Sequence, residues 1–371
     1  FNENCEIIKN LLIKSVKLRL RSDVPLAFCL SSGIDSNSLI SIANKILNYD
    51  TQGFSIDSKD KRYSERSKIE KNLKKSGIRC KYIKPNEKDS LDNLKKIIHS
   101  HDSPVSTISY YLHWFLLKEI SNKNYKVSIS GTGADEIFTG YYDHFSFHLA
   151  YLYKYNKKLY NSSLSNWKKY QKNMIRNSFL KDPRLFIKNK HFRKHIYQDT
   201  NKYKNFFVKK ITNDFKENFY TPDLLRNRML NELFSESVPV ILKEDDLNAM
   251  CFSVENRSPF LDKELFEFSM TIPNEFLIQD GYSKNVLRKS MLGVVDDKIL
   301  EDRRKIGFNA SINEIIDFSD KKNYEAFLDN NIVFDIVKKQ SIEKLLKKRF
   351  YSNSESKFLF NFINTKIFLE Q

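Results

Sequence analysis

Two short runs hold the residue types best suited to chemistry. Ser31-Ser32-Gly33-Ile34-Asp35-Ser36 follows an apolar stretch and opens an amphipathic one. Small side chains let a backbone curl until several N–H groups converge, and a helix starting there adds a field that favours phosphate oxygens. An acidic side chain inside such a loop repels phosphate unless it holds a cation, so Asp35 is expected to ligate Mg2+. The run is not a GxxxxGK(S/T) loop, and it contains no lysine. A Ser/Gly turn after a strand also has an ordinary reading as turn chemistry.

The second run is Ser130-Gly131-Thr132-Gly133-Ala134-Asp135-Glu136, followed by Phe138-Thr139-Gly140-Tyr141. Glycine at a strand end permits close approach of a ligand to the backbone. Asp135 and Glu136 bring negative charge to the first run if the two preceding strands are neighbours. The chain has nine glycines, and Gly33, Gly131, Gly133, Gly140 and Gly307 fall in these runs or in Arg303-Arg304-Lys305-Ile306-Gly307-Phe308. That concentration argues against random loop usage.

The surrounding pattern supplies elements able to position both runs. Ile8, Leu11, Leu12, Val16 and Leu20 give residues 5–21 helical periodicity, and residues 24–30 read as a buried strand. Further strands are expected at 52–56, 80–83 and 126–129, with helices near 62–76, 88–99 and 107–121. Alternation of this kind predicts a doubly wound α/β fold built on a parallel sheet, with ligands at the carboxyl ends of its strands. From about 145 the strand signal fades. Phe207, Ile211, Phe215 and Phe219 recur every four residues, which predicts an amphipathic helix, and residues 231–371 read as mostly helical. Three parts follow: an α/β part (1–145), a basic and aromatic helical insertion (146–230) and a helical C-terminal part (231–371).

Composition narrows the classes. At 371 residues and 40% hydrophobic content the chain can bury a full core. It has no apolar run of membrane-spanning length, which points to a cytoplasmic protein. Cys5, Cys29, Cys80 and Cys251 lack metal-ligand spacing and read as reduced thiols. The net charge is +17, yet residues 145–230 hold 20 Lys+Arg against 5 Asp+Glu and so carry +15 of it. This block reads as a Lys-rich insertion with solvated charges and its own aromatic core. Docking of an acidic partner, a glycan precursor or carrier protein, is the other reading, and a homodimer is left open.

The motifs together resemble the synthetase domain of the asparagine synthetase family, in the PP-loop ATP-pyrophosphatase group with its adenine nucleotide alpha hydrolase-like fold. Beyond the two runs, the likeness includes Tyr63-Ser64-Glu65, Asp102-Ser103-Pro104, Glu255-Asn256-Arg257-Ser258-Pro259-Phe260-Leu261-Asp262, Lys284-Asn285-Val286-Leu287-Arg288 and the 303–308 segment. It spans residues from about 5 to about 312. The resemblance implies ATP bound near Leu30, Ser31, Ser32, Gly33, Asp35, Ser36, Ser55, Ile56, Ser130 and Gly131, with Mg2+ on Asp35 and Asp135. It further implies adenylation of a carboxylate, aspartate in the parent family, then amide formation with ammonia. Lys305 matches a lysine that stabilises the crowded negative charge, although it also fits a solvated basic run. Glu65 and Glu136 join as structural or phosphate-facing groups. Arg257, flanked by Glu255 and Asp262, is expected in a structural ion-pair network, whereas Lys284 and Arg288 either share a face toward phosphate or are exposed.

Two positions depart from the family pattern. Ser32 replaces a glycine. Thr132 stands where asparagine synthetases carry Glu or Asp, a residue assigned to proton transfer during ammonia attack; related β-lactam-forming ligases place Tyr there. Threonine cannot act as a carboxylate base, so either the base comes from elsewhere or the acceptor differs. Adenylation is therefore the firmer half of the expectation. The chain opens on Phe and reads as a fragment or processed product, with the glutaminase domain that supplies ammonia absent from it and expected upstream. Cys5, inside a predicted helix, is no substitute nucleophile. A PP-loop RNA-modifying enzyme would explain the basic block, but ENRSPFLD and RRKIGF belong to the amide-forming branch.

Overall fold

The computed structural model describes the chain except residues 59, 61–62, 75, 86–88, 198–199, 211–214 and 305–310. Five parallel strands form one sheet: β1 (Leu26–Cys29), β2 (Gln52–Ile56), β3 (Arg79–Ile83), β4 (Val127–Ile129) and β5 (Glu255–Arg257). Their order is β3-β2-β1-β4-β5, and Phe28 sits opposite Gly53 on one side and Ile129 on the other. The chain therefore steps outward from β1 to β3, then returns to the far side of β1. The crevice beyond the carboxyl ends of β1 and β4 is a topological switch point, the place where open α/β sheets bind ligands.

Helices α1 (Asn2–Arg19), α2 (Ile34–Ser41), α3 (Arg66–Leu73), α4 (Ser90–His101) and α5 (Ile108–Asn122) alternate with the first strands. Between β4 and β5 lie α6 (Ala134–Phe138), α7 (Tyr142–Tyr155), α8 (Lys157–Asn166), α9 (Leu185–Lys188), α10 (Thr200–Tyr203), α11 (Leu224–Phe234) and α12 (Ser237–Met250). After β5 come α13 (Lys263–Thr271), α14 (Asn285–Ser290), α15 (Asp297–Leu300), α16 (Lys321–Leu328), α17 (Lys339–Leu346) and α18 (Asn353–Leu369). Among the described residues, no helix is long and apolar enough to cross a membrane.

Side chains alternate across the sheet, as strand geometry requires. Leu26, Phe28, Val127 and Ile129 join Ile8, Leu12 and Leu39 in one apolar cluster. Ala27, Phe54 and Ile56 face the other, with Leu112 and Leu117 of α5 and Leu359 and Phe360 of α18. Each large apolar side chain so buried stabilises the fold by about 1.5–3 kcal/mol. Trp167, Leu180 and Phe186 of the basic block belong to the same cluster as Phe28. The block thus shares the core of the α/β part instead of keeping a separate one.

Two elements differ from the sequence expectation. β5 was not anticipated, because its three residues are polar and charged and it pairs on one side only, with β4. The fourfold spacing from Phe207 to Phe219 predicts a helix, but the described residues of this span, 207–210 and 215–219, are not helical. Phe207 forms an isolated antiparallel bridge with Val337, and Phe219 is 80% exposed, while Ile211 lies outside the described residues. Tertiary partners override periodicity here: Phe206 and Phe207 pack on Phe358 of α18, at 5.2 and 6.3 Å between ring centroids. The backbone N–H groups of Asn218 and Tyr220 donate to the side chains of Asn231 and Asn227, so they find partners outside any helix of their own.

Candidate active site

The loop after β1 is knit by its own small polar groups. The Ser31 N–H donates to Ser36 Oγ at 3.0 Å, and the Gly33 N–H to Ser31 Oγ at 3.2 Å. Asn37 Nδ2 donates to the carbonyls of Ser31 and Gly33. Across the switch point lies the loop after β4. A Cβ on Gly131 would stand 3.0 Å from Asp35 Cβ, so the two loops approach this closely because position 131 has no side chain. Gly140 is required for a similar reason: a Cβ there would fall 1.6 Å from Oδ1 of Asp135. Its N–H also donates to the Asp135 carbonyl at 2.8 Å.

Asp35 and Asp135 meet at the ammonium group of Lys284. Lys284 Nζ lies 2.6 Å from both oxygens of Asp35 and 2.5 Å from Oδ1 of Asp135. Burial opposes the charge on Lys284, but the carboxylates of Asp135 and Asp35 outweigh it and hold the pKa above the ordinary lysine value. Lys284 is 5% exposed, whereas the two carboxylate side chains keep 21–25% of their surface. The point where they converge is held by the Lys284 ammonium, and the same carboxylates, still partly exposed, offer oxygen donors of the kind a hard divalent cation takes. Lys284 also caps α14 in the left-handed region, at φ 54°.

Of the two readings open for Lys284 and Arg288, a shared face toward phosphate or exposure, exposure is the one that fails, since both are buried. They also part company. The Arg288 guanidinium donates to the carbonyls of Ser283, Ile299 and Leu300, so it braces the chain behind the site.

A second corner forms around Thr132. Its hydroxyl donates to Asp245 Oδ2 at 3.3 Å and accepts from Ser130 Oγ at 3.2 Å. Asp245 lies on α12, with Asn256 Nδ2 at 3.4 Å from the same oxygen and His113 Nδ1 at 3.3 Å from the other. Burial pushes the Asp245 carboxyl above the usual range, and the His113 ring and the Thr132 hydroxyl only partly offset this. Neither Asp245 nor His113 was singled out from sequence. The available signal was the acidic run Glu244-Asp245-Asp246, two of whose members point into the protein instead of to solvent.

The remaining candidates divide between the crevice and its supports. Leu30, Ser55, Ile56 and Ser130 are buried at the carboxyl ends of β1, β2 and β4. Ser32, the residue replacing glycine, donates to Glu65 Oε1 at 2.6 Å. Glu65 is itself raised in pKa, by burial first and against the Ser32 bond. Glu136 turns inward to accept from the Tyr141 hydroxyl at 2.5 Å, and burial, reinforced by Asp135, pushes its pKa up to about 7. Arg257 pairs with Glu255 at 2.7 Å and donates to the carbonyls of Arg19 and Arg21, both at 2.8 Å. The network expected to include Asp262 is corrected in one respect. Asp262 pairs with Arg19 and caps α13, so it reaches Arg257 only through the end of α1. Lys305 lies outside the described residues.

A family model described as Asparagine synthase matches residues 8–366. The chain is 26% identical over 328 residues to the glutamine-hydrolyzing asparagine synthetase 1 of Bacillus subtilis strain 168, covering 82% of this chain and 49% of that protein. It is 28% identical over 319 residues to asparagine synthetase 3 of the same organism, covering 81% and 47%. A putative glutamine-hydrolyzing asparagine synthetase 2 of Methanocaldococcus jannaschii is 32% identical over 139 residues, 37% of this chain and 26% of the other. The chain spans about half the length of the two Bacillus relatives.

Proposed function

The chain belongs to the asparagine synthase family, and on that premise we propose that it is an ATP-dependent ligase that adenylates a carboxylate and converts it to an amide. The observation that carries this reading is the meeting of Asp35 and Asp135 at a single point beside the switch-point crevice. In this reading both carboxylates would hold Mg2+, which when bound neutralises the ATP phosphates and makes the α-phosphorus easier to attack. Leu30, Ser31, Ser55, Ile56, Ser130 and Gly131 would take the adenosine end, and Ser32, Gly33 and Ser36 the phosphates. Lys284 would place a fixed positive charge at the departing pyrophosphate, joined by Lys305. The substrate carboxylate oxygen bonds to the α-phosphorus as the bond to pyrophosphate breaks. Fixed charges that need not reorganise supply the largest share of such an acceleration.

Ammonia then attacks the acyl carbon, AMP leaves with its oxygen, and one proton must leave nitrogen. Thr132 alone cannot take it. Its hydroxyl can pass its own proton to Asp245 Oδ2 while accepting one from nitrogen, which makes Asp245 the proton acceptor and Thr132 the relay. The raised pKa of Asp245 supports this assignment, because a base works best with a pKa near the operating pH. His113 beside the other oxygen would steady the pair. The relatives' names describe glutamine hydrolysis, so a glutaminase unit would supply the ammonia. Cys5, buried within α1, is not placed to do so.

Aspartate is the first carboxylate to test. Purified chain with ATP, Mg2+ and ammonium, screened over aspartate and other small carboxylates, is expected to release pyrophosphate and AMP in step with one amide. ATP turnover to ADP, or pyrophosphate release that no carboxylate stimulates, contradicts the proposal.

A further inference from the structure

We infer that the Trp167–Gln171 turn of the basic block is a positioning element of the site, clamping the short hairpin that leads into Lys284. The inference rests on the reading of Lys284 given above. That hairpin runs from Gln279 to Tyr282, which exchange both backbone hydrogen bonds, at 3.2 and 2.7 Å. Its central residues, Asp280 and Gly281, are left-handed at φ 50° and 75°, as a two-residue hairpin turn demands. Two residues beyond Tyr282, Lys284 is left-handed again, at φ 54°. A non-glycine residue stays in that region only when its surroundings impose it.

The basic block supplies much of the surrounding of the hairpin itself. Trp167–Gln171 is a single π-helical turn at the end of α8. Gln171 is 1% exposed, and its Nε2 donates to the Gly281 carbonyl at 2.7 Å. The Tyr170 ring covers Gly281 so closely that a Cβ there would lie 2.8 Å from Tyr170 Cδ2. The same ring stacks on the Arg303 guanidinium at 4.0 Å, and Tyr282 stacks on it at 3.7 Å. Arg303 in turn donates to the Asp280 carbonyl. The hairpin is therefore gripped on Asp280, Gly281 and Tyr282, and Lys284 is the second residue beyond the grip. Tyr170 stands among Lys168, Lys169 and Lys172, a stretch whose charge alone would mark it as a solvated face.

Loosening the grip should let Lys284 drift from the two carboxylates. Small displacements of a charge-bearing group are costly to catalysis, so Tyr170→Ala is expected to lower the turnover of carboxylate-dependent pyrophosphate exchange about tenfold. Tyr170→Phe, which keeps the ring, is expected to restore it. Because both act through one stack, Tyr170→Ala with Arg303→Ala should be no slower than the slower single variant. A readout independent of activity accompanies these: backbone deuterium exchange over residues 277–286 should quicken in Tyr170→Ala and not in Tyr170→Phe. Should Tyr170→Ala fail to fold, Arg303→Ala removes the same stack from the other face. Wild-type turnover together with wild-type deuterium exchange in the alanine variants overturns the inference. A wild-type chain that performs no carboxylate-dependent exchange sinks the functional reading instead, and the deuterium arm still decides whether the clamp exists.

Discussion

On one side of the 130–135 loop, Asp35 and Asp135 close on the ammonium of Lys284 at 2.5–2.6 Å. On the other, Asp245 meets the Thr132 hydroxyl, the Asn256 amide and the His113 ring at 3.3–3.4 Å. The first pair shares the charged ammonium of Lys284, and the second carboxylate is desolvated beside weaker partners. Opposite electrostatics thus flank one short loop. In the proposed reaction the charged corner would hold cations and phosphate, and the desolvated corner would accept a proton. A two-step reaction through an adenylate needs both, in that order.

The comparison breaks most visibly at the charged corner. Asp35→Ala and Asp135→Ala should each lower ATP–pyrophosphate exchange by about a thousandfold or more, the scale expected for loss of a fixed charge at the reacting phosphate. Retention of exchange in either variant would remove the corner from the chemistry. At the desolvated corner, Asp245→Asn should lower amide formation about a hundredfold more than it lowers exchange, within the range for a general base. In the wild type, amide formation should rise with pH as Asp245 loses its proton, and the variant should lack that limb. Equal losses in both half-reactions would show that Asp245 only supports the fold.

Two smaller effects sharpen the boundary between site and scaffold. The folded-state pKa of Glu136, at about 7, lies above the ordinary carboxylate value, so its protonated form is the one the fold favours. Its contribution to stability is present at low pH and is lost as pH rises toward and through 7. Thermal melts between pH 5 and 8 should show this decline in the wild type, and Glu136→Gln should flatten it. Arg257→Ala removes hydrogen bonds that tie β5 to the end of α1, and should cost about 1–2 kcal/mol in denaturant unfolding. Exchange turnover within about twofold of wild type is expected beside that loss; a larger drop would place Arg257 in the chemistry.

Legibility in the sequence followed the range over which each feature is specified. Strands β1 and β4 and the runs that follow them are local: an apolar stretch, then small residues and an acid, read within about ten positions. Lys284 was visible as a motif residue, but its place between Asp35 and Asp135 depends on contacts 249 residues apart along the chain. Thr132 was visible as a departure from a pattern, whereas its partner Asp245 lies 113 residues on, in a helix that reads as surface by charge. β5 escaped because three polar residues carry no strand periodicity. The 207–219 spacing misled because Phe207 and its neighbours pack against α18 and the turns around it. Tyr170 and Gln171 were hidden for a similar reason, since lysines around them dominate the local composition.

The adenylate itself is the claim on which these assignments depend, and isotope transfer tests it most directly. A carboxylate substrate labelled with 18O in its carboxyl group, turned over by the wild-type chain with ATP, Mg2+ and ammonium, should leave one labelled oxygen in the AMP released. Label found in inorganic phosphate, or AMP carrying none while amide forms, would contradict attack of the carboxylate at the α-phosphorus.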